Sequence, residues 1–528
     1  MRDFAPSLPV QSGAAVADLA PLARIPVNRR LWLAGAALAG LSAWAEARPR
    51  RAAAAPGAAA SAASAPAVAD GADALPPALR ALLVRSGLPA ASIGLQIQSV
   101  LPGQRPLARC NAEHAYQLAS TSKVVTALAA LSLLGPDYRW RTQAFLTGPL
   151  RDGRLLGDLV IVGGGDAFLR SADLRHWFVQ MQAQGLREVW GDIVLDRQAF
   201  QFGEGDFAST PPPAVDRPHH ARPDALTLDE GALRVSLQAD AKGRPQVQVQ
   251  PPLAGLKVSS SVSSAAGGCD WRAQWAQDSG LNPSLQVSGS WRPGCAAREQ
   301  VLAPLPHGEF TERAVQVLWR EAGGRMKGRV VNRALPALPS DSQGRPAAPW
   351  STHQGEPLAQ VLRDINKTSD NLGARNLMLS LARGFPQRPA TLADAQQRLS
   401  AWLARQGLQP GDIAVDTGAG LSRGERGKPR AMVQLLRHAW FSDQARPFID
   451  SLPVAGVDGT LMHRMTHGAA TGRAFLKTGT LLDTRALAGY VQAASGQVYA
   501  VAALVNHAEA QRATPMLDAA VEWLAQQG

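Results

Sequence analysis

The stretch LASTSKVVTALAAL, residues 118–131, places a serine and a lysine three residues apart at the start of an apolar run. Residues three apart lie on one face of a helix, so Ser120 and Lys123 are predicted neighbours, whereas Ser122 points elsewhere. A serine hydroxyl is a weak nucleophile until a base takes its proton, and a buried lysine with a lowered pKa can be that base. The pair indicates nucleophilic catalysis; the alternative is a helix-capping serine beside a lysine that reaches solvent.

The later stretch KTSDNLGARN contains Ser369, Asp370 and Asn371 in a helical region. The hydroxyl of Ser369 can pass a proton between Ser120 and a leaving group. The amide of Asn371 can hold both a substrate amide and an active-site lysine. This tripeptide therefore carries functions that a serine nucleophile needs.

A third stretch, FLKTGTLLDTRALAGY, leads from Lys477-Thr478-Gly479-Thr480 into alternating strands. Lys477, with Thr478 and Thr480, can hold a substrate carboxylate through a fixed positive charge. Gly479 lets a substrate backbone approach the strand. The backbone N–H of Thr480, paired with that of Ser120, can form an oxyanion hole.

The periodicity of the chain predicts an α+β domain assembled from both chain ends. SIGLQIQSV, residues 92–100, alternates as a half-buried strand does, and the run from Ser120 is a helix that is apolar nearly all round. Near the C-terminus, two alternating strands joined at Ser495-Gly496 form a predicted hairpin. We expect an antiparallel sheet plus a helical cluster, made from residues 76–140 and 346–528.

Residues 141–345 differ from both flanking parts. Short strands alternate there with glycine, proline and aspartate turns, and one helix is expected at 171–185. The composition predicts a β-rich insertion of one or two lobes. This insertion accounts for the long separation between Ser120 and Ser369.

Three cysteines are present. Cys269 and Cys295 flank a predicted strand–turn–strand, and a disulfide between them suits an exported protein. Cys110 is left over and is expected to be a small buried thiol.

The N-terminus has the layout of a secretory signal peptide. Arg29-Arg30 precedes an apolar stretch, 31–45, and small residues follow in A-x-A patterns. Residues 1–47 are therefore predicted to be a signal peptide and 48–75 an Ala/Pro-rich linker. An uncleaved anchor and twin-arginine export remain alternatives.

The composition excludes several function classes. The formal charge of +12 over 528 residues is scattered, and no nucleic-acid motif appears. His463 and His467 have the spacing of a helical metal pair, but no H-E-x-x-H glutamate accompanies them, so a surface role is expected. We expect no metal and no cofactor.

In order, S-x-x-K, S-D-N and K-T-G are the signature set of penicillin-binding proteins and class A β-lactamases. With the long insertion, the chain resembles the D-alanyl-D-alanine carboxypeptidase/endopeptidase family of low-molecular-mass penicillin-binding proteins, the peptidase S13 or penicillin-binding protein 4 group. Further stretches that carry the resemblance are GDLVIVGGGDAFL, GDIVLDRQAF, RPDALTL, VDTGAGLSR and LPVAGVDGTLMHR. The resemblance covers roughly residues 80–525.

Two departures from the family pattern stand out. The loop after GDIVLDRQAF reads QFGEGDFASTPPPAVDRPHH and lacks the aromatic pattern common in the family, so no substrate contact is carried over from it. Thr417 and Ala419 stand where the family commonly has Gly or Ser, which we interpret as tolerated variation near Ser422.

The resemblance implies a penicillin-binding-protein/β-lactamase-like transpeptidase fold and a periplasmic serine DD-peptidase (EC 3.4.16.4). Its substrates would be peptidoglycan stem peptides, and β-lactams would acylate Ser120. Carboxypeptidase and endopeptidase action both remain open. The alternatives are a β-lactamase or esterase of the same superfamily, and a catalytically vestigial cell-wall-binding protein. No nucleic-acid partner is expected, and any membrane or cell-wall association would be weak.

Overall fold

The structure is a computed structural model that describes residues 75–527 except 265–267, 279–281 and 336–346. The predicted signal peptide and nearly all of the predicted linker lie outside the described residues. The described part belongs to a single compact unit, Asp70–Gly528.

Each described α-helix buries one face or, in two cases, nearly its whole surface. In chain order they are α1 (Pro77–Ser86), α2 (Ser122–Leu134), α3 (Ser171–Ala183), α4 (His307–Glu321), α5 (Leu358–Thr368), α6 (Asn371–Ser380), α7 (Leu392–Arg405), α8 (Pro429–Trp440), α9 (Ala445–Ser451) and α10 (Ala513–Ala525).

The described strands are short in the middle of the chain and long at its C-terminal end. They are β1 (Ile93–Ser99), β2 (Pro106–Cys110), β3 (Tyr116–Gln117), β4 (Arg141–Leu146), β5 (Leu150–Arg151), β6 (Arg154–Leu155), β7 (Leu159–Val162), β8 (Glu188–Val189), β9 (Ile193–Asp196), β10 (Phe200–Gln201), β11 (Leu233–Ala239), β12 (Pro245–Gln250), β13 (Lys257–Ser263), β14 (Trp271–Gln277), β15 (Pro283–Ser290), β16 (Glu299–Leu302), β17 (Arg325–Met326), β18 (Val330–Asn332), β19 (Ser351–Gln354), β20 (Ala390–Thr391), β21 (Ile413–Ala414), β22 (Arg426–Gly427), β23 (Ala474–Leu481), β24 (Thr484–Gln492) and β25 (Val498–Asn506).

A five-stranded antiparallel sheet unites the two ends of the chain. Its order is β2-β1-β25-β24-β23, so the N-terminal strands pair directly with the C-terminal hairpin. Apolar side chains of the sheet form one buried cluster with α1 and α10. The hydroxyl of Tyr490 on β24 donates to the carbonyl of Leu436, which links the sheet to α8 at 2.7 Å. The predicted α+β class and its hairpin are confirmed.

Helix α2 lies at the centre of this part of the fold. Every residue from Ser122 to Leu131 is buried, as expected for a helix that is apolar nearly all round. The helix ends at Gly135. Ser120 lies just before it, in a single 3-10 turn formed by Ala119–Thr121.

The region around Ser369 differs from the predicted helical stretch. Ser369 adopts φ 62°, in the left-handed region, and this ends α5. Asp370 then caps a new helix, α6, because its side chain accepts from the backbone N–H of Gly373. The helical periodicity of the sequence continues through this break, so it could not be recognised from the pattern alone.

The middle of the chain contains a second five-stranded sheet, with order β18-β9-β7-β4-β19 and both parallel and antiparallel pairs. Two helices pack in its core, where Phe178 of α3 and Trp319 of α4 meet edge to face. The prediction of one helix was therefore wrong, because α4 was read as part of the strand-rich composition. β19 pairs with β4, so this sheet extends to Gln354, beyond the expected limit at 345. The division into catalytic and inserted domains stays a prediction.

The cysteines follow the expected arrangement. Cys269 and Cys295 form a disulfide beside the β14–β15 pair. Cys110 is a free thiol with no exposed surface. Among the described residues, no helix has the length and apolar character needed to cross a membrane.

Candidate active site

The turn that carries Ser120 packs tightly between a strand and a loop. A Cβ at Gly479 of β23 would lie 2.9 Å from the carbonyl oxygen of Leu118. A Cβ at Gly420 would lie 1.9 Å from the carbonyl oxygen of Ala119, and Gly420 also has φ +88°. Glycine at both positions therefore lets two backbone segments approach the nucleophile's turn.

Lys123 lies directly beneath Ser120 and is 1% exposed. Its Nζ donates to Ser120 Oγ at 3.1 Å, to Asn371 Oδ1 at 2.7 Å and to the carbonyl of Ala419 at 2.6 Å. Burial lowers the pKa of Lys123 to about 7, and Arg375 adds to the lowering. A large share of the molecules therefore carries an uncharged, basic amine at neutral pH.

The acceptors around Lys123 decide how the neutral amine is oriented. Asn371 donates from Nδ2 to the carbonyl of His219 at 2.9 Å, which turns its Oδ1 toward Lys123. Asn371 Oδ1 and the carbonyl of Ala419 can only accept, and a neutral amine has two N–H bonds and one lone pair. When both N–H bonds go to these acceptors, the lone pair faces Ser120. The hydroxyl of Ser120 is then the donor in the 3.1 Å contact.

Ser369 and Lys477 form a second serine–lysine pair at the same cleft. Lys477 has no exposed surface and donates from Nζ to Ser369 Oγ at 2.9 Å and to the carbonyl of Thr478 at 3.0 Å. Burial lowers the pKa of Lys477 well below its usual value, and the nearby Lys123 lowers it further. The positive charge of Lys123 therefore favours the uncharged form of Lys477.

A cleft of about 340 Å³ opens above these lysines. Predicted residues on its surface are Ser120, Ser369, Thr478, Gly479 and Thr480. Lys123, Asn371 and Lys477 lie behind this surface and reach it through hydrogen bonds. The structure therefore brings together all the residues that the three sequence stretches supplied.

The family model of the D-Ala-D-Ala carboxypeptidase 3 (S13) family matches residues 76–527. The chain belongs to this family. It is 30% identical over 460 residues to a D-alanyl-D-alanine carboxypeptidase from Actinomadura sp. strain R39, covering 82% of each chain. It is 27% identical over 400 residues to D-alanyl-D-alanine carboxypeptidase DacB from Haemophilus influenzae, covering 74% of this chain and 80% of that one.

A solved structure gives the same architecture. Penicillin binding protein 4 of Haemophilus influenzae superposes with a TM-score of 0.63 at 23% identity, over 79% of this chain and 90% of that one. The predicted penicillin-binding-protein fold and membership of the S13 group are confirmed. Membership also confirms the prediction of a DD-peptidase at the level of the family.

In this S13 protein, a buried carboxyl group that sequence reasoning did not single out supports the loop behind Lys123. Glu425 has no exposed surface, and its Oε1 accepts from Thr417 N at 2.8 Å, Thr417 Oγ1 at 2.7 Å and Gly418 N at 2.9 Å. The same loop presents the carbonyl of Ala419 to Lys123. Thr417, which departs from the family pattern, thus contributes one of these hydrogen bonds.

Burial raises the pKa of Glu425 to about 7, and the neighbouring Asp416 raises it further. Glu425 in turn raises the pKa of Lys123 by its charge. The local signals in the sequence are the two glycines of TGAG, which indicate a tight loop, and the glutamate that follows them. Without the fold, nothing indicated that the glutamate is buried.

Backbone carbonyl groups of residues 219–221, in the middle of the chain, accept hydrogen bonds from helix α6 at the site. Arg375 of α6 has no exposed surface and donates to the carbonyls of His220 and Ala221. His219 precedes them and accepts from Asn371. Pro218–His220 forms a 3-10 turn in which His220 is buried.

Other candidate residues lie apart from the cleft. His463 and His467 are both exposed and not helical. Ser122 is fully buried, and Lys123 makes its contacts with Ser120 rather than with this hydroxyl. In the part of the chain that the structure describes, no three His, Cys, Asp or Glu side chains are grouped to hold a metal ion.

Proposed function

We propose that this protein is a serine-type D-Ala-D-Ala peptidase of peptidoglycan (EC 3.4.16.4) that works through an acyl-enzyme on Ser120. The observation that carries the proposal is the environment of Lys123. Its pKa is lowered to about 7, and its two acceptor-only partners direct its lone pair to the nucleophile. A general base poised near the working pH is what serine activation requires.

Acylation begins when Lys123 takes the proton of Ser120 and Oγ attacks the carbonyl carbon of the penultimate D-Ala. The backbone N–H groups of Ser120 and Thr480 stabilise the oxyanion. Ser369 passes a proton to the nitrogen of the leaving D-Ala, which breaks the amide bond. Water then attacks the ester carbonyl, releases the peptide and restores the hydroxyl of Ser120.

The leaving group is held by its carboxylate. Lys477 lies one hydrogen bond from Ser369, and Thr478 and Thr480 line the adjacent surface. A carboxylate next to Lys477 favours the ammonium form, which offsets the lowering of its pKa by burial. The side chain of Asn371 accepts from Lys123 at Oδ1, and the second lone pair of this oxygen accepts from the amide of the substrate. Binding of the correct substrate therefore creates the ion pair that orients it.

We also propose that β-lactams acylate Ser120, since a lactam carbonyl with a nearby carboxylate presents the same two groups. A structural relative, penicillin binding protein 4 of Haemophilus influenzae, has been solved in complex with a β-lactam, at a TM-score of 0.60. Export by the N-terminal segment to the periplasm would bring the enzyme to peptidoglycan. Any attachment to the membrane or cell wall would be weak.

A covalent label tests the proposal. The purified protein is incubated with a fluorescent penicillin, and the adduct is located by mass spectrometry. The expected result is one label on the peptide that contains Ser120, and none in Ser120→Ala. Labelling that persists in Ser120→Ala would contradict the mechanism.

Two further measurements separate the alternatives. Rapid turnover of penicillin in place of a long-lived adduct would indicate a β-lactamase, and binding of peptidoglycan without release of D-Ala would indicate a vestigial site. The S13 membership favours neither.

A further inference from the structure

A small four-stranded sheet in the middle of the chain has one face in solvent. Its strand order is β17-β8-β6-β5. The inward side chains pack into the core shared with α3 and α4, and they are Leu150, Leu155, Val189 and Met326. Because side chains alternate along a strand, the neighbours of these residues point outward. The cleft above Ser120 is lined by other residues, so this outward face is a separate surface.

The first row of side chains across the outward face is cationic. In the order of the paired strands it contains Arg325, Glu188, Arg154 and Arg151. Glu188 pairs with Arg154 at 3.5 Å. Arg151 and Arg325 are exposed, and among the described residues no carboxylate pairs with either of them. This row therefore carries positive charge that its own carboxylate does not balance.

The second row adds a cation and two large apolar side chains. The N–H of Lys327 donates to the carbonyl of Val189 at 2.9 Å, and that of Trp190 to the carbonyl of Leu155 at 3.0 Å. These bonds extend the register by one residue and place Lys327, Trp190 and Leu156 side by side. Trp190 is 41% exposed and Leu156 is 42% exposed. Lys327 Nζ lies 3.5 Å from the centroid of the Trp190 ring, so the cation and the indole form one surface.

The carboxylates next to this face do not neutralise it. Asp158 and Asp192 follow the second row by two residues, and both are paired with Arg333, at 2.7 Å and 3.7 Å. Asp152 is exposed in the turn between β5 and β6, but Arg187 is exposed at the same edge, where its N–H donates to the carbonyl of Gly153. The excess positive charge of the outward face therefore remains.

The combination of charges and apolar groups matches a phospholipid surface. Anionic headgroups attract arginine and lysine, and a guanidinium binds a phosphate through directional hydrogen bonds. An indole ring is favoured at the headgroup level of a bilayer, where one edge is wet and the rest contacts apolar chains. A hydrophilic polyanion would also attract the cations but would leave Leu156 and Trp190 in water.

We propose that the outward face of the β17-β8-β6-β5 sheet docks on a bilayer that contains anionic phospholipids, with Trp190 and Leu156 at the level of the headgroups. Few cations and little apolar area take part, so the docking is reversible and weakens as the salt concentration rises. It would fix the orientation of the protein on the membrane surface. The inference goes beyond the peptidase reaction and does not depend on it.

A fluorescent reporter at position 156 tests the docking. The full chain carries Leu156→Cys with a nitrobenzoxadiazole label, whose emission rises when it leaves water. Val258→Cys on β13 is the matched control, since Val258 is 45% exposed. Cys110 is buried and the other two cysteines form a disulfide, so the label reacts with the new thiol.

Emission at position 156 should rise with vesicles of phosphatidylglycerol and phosphatidylcholine in equal parts, and stay unchanged with phosphatidylcholine alone. Sodium chloride should reverse the rise. Position 258 should not respond. The label senses only its own surroundings, so attachment through another part of the chain does not produce this pattern. No rise at position 156 on the anionic vesicles, or an equal rise at position 258, would overturn the proposal.

A double variant tests the charges of the face. Arg151→Gln with Arg325→Gln should raise the lipid concentration at half response about twentyfold, since each cation near an anionic surface contributes about fivefold. Arg85→Gln with Arg105→Gln removes the same charge from two exposed arginines elsewhere and should change this concentration less than about twofold. Equal shifts in the two double variants would show that only the net charge matters and would refute a docking face.

Trp190→Ser tests the apolar contact. It should raise the lipid concentration at half response about tenfold, because the exposed part of the indole no longer leaves water. An unchanged concentration would mean a purely electrostatic contact, as with a soluble polyanion, and would overturn the placement of Trp190 among the headgroups. Every variant should still be labelled by penicillin as the wild-type protein is, since these residues lie outside the cleft. Docking and the proposed peptidase reaction can therefore fail independently.

Discussion

Lys477 donates from Nζ to Ser369 Oγ across 2.9 Å, and this contact joins the edge strand β23 to the turn between α5 and α6. The same turn supplies Asn371, which accepts from Lys123 at 2.7 Å. One break between two helices therefore holds both buried lysines of the site. Burial lowers the pKa of both lysines, and the charge of Lys123 lowers the pKa of Lys477 further.

The roles of the two serines at the start of α2 can be separated by mutation. Ser120→Ala should abolish acylation by penicillin, whereas Ser122→Ala should change its rate less than about threefold. Ser122 is buried and interacts with the carboxyl of Glu425 rather than with Lys123, so its removal leaves the contact between Ser120 and Lys123 in place. The rate of acylation by a fluorescent penicillin measures both variants. A loss of acylation in Ser122→Ala with its thermal stability unchanged would contradict the assignment.

Lys123 should set the pH dependence of acylation. Its pKa is lowered from 10.5 to about 7, so the fraction of neutral base rises with pH and the rate should increase through a midpoint near 7. Stopped-flow measurement of penicillin acylation from pH 5 to 9 gives this profile. Lys123→Met, which keeps length but cannot accept a proton, should lower the rate by at least about a hundredfold, as loss of general base catalysis does. A rate that is independent of pH over this interval would exclude Lys123 as the base.

Glu425 should affect both stability and the pH profile. Its pKa is raised from 4.5 to about 7 in the folded protein, so the folded state binds its proton more tightly than the unfolded state does. The free energy of unfolding contributed by this group is therefore full below about pH 4.5 and is lost as the pH rises to about 7. Glu425→Gln keeps an oxygen acceptor but cannot ionise, so its stability should fall less over this interval. Chemical denaturation at pH 5 and 7 compares the two proteins.

The same variant should shift the acylation profile. Negative charge on Glu425 raises the pKa of Lys123, so Glu425→Gln should move the midpoint to lower pH. Glu425→Asp serves as a control that keeps the charge. An unchanged midpoint in Glu425→Gln would show that the two groups do not interact.

Structural features that depend on neighbouring residues could be predicted from the sequence, whereas features that depend on the assembled fold could not. The three short stretches and the C-terminal hairpin rest on neighbouring residues, and the structure assembles them as their periodicity indicated. The break at Ser369 depends on a left-handed backbone that a serine rarely adopts and that the surrounding contacts impose. Arg375 became recognisable only through its contact with Ala221, 154 residues away, and Glu425 only because the assembled fold buries it completely. Such long-range burial leaves no local pattern.

Gly420 offers a test of how tightly the nucleophile's turn is packed. Gly420 and Gly496 have similar backbone angles, φ +88° and +83°, so alanine strains both by a comparable amount, about 1 kcal/mol. At Gly420 the new Cβ would lie 1.9 Å from the carbonyl of Ala119 and 2.7 Å from the nitrogen of Ser120, whereas at Gly496 nothing lies within 4 Å. The strain is therefore matched, and only the crowding differs.

Gly496→Ala should lose about 1 kcal/mol of stability and keep full acylation. Gly420→Ala should lose about 2 kcal/mol or more and also acylate slowly, because relief of the clash displaces Ser120 and its N–H. Urea denaturation and the acylation rate, measured on both variants, give the comparison. Equal losses in both variants would mean that the turn tolerates the crowding and that the backbone angle alone requires glycine.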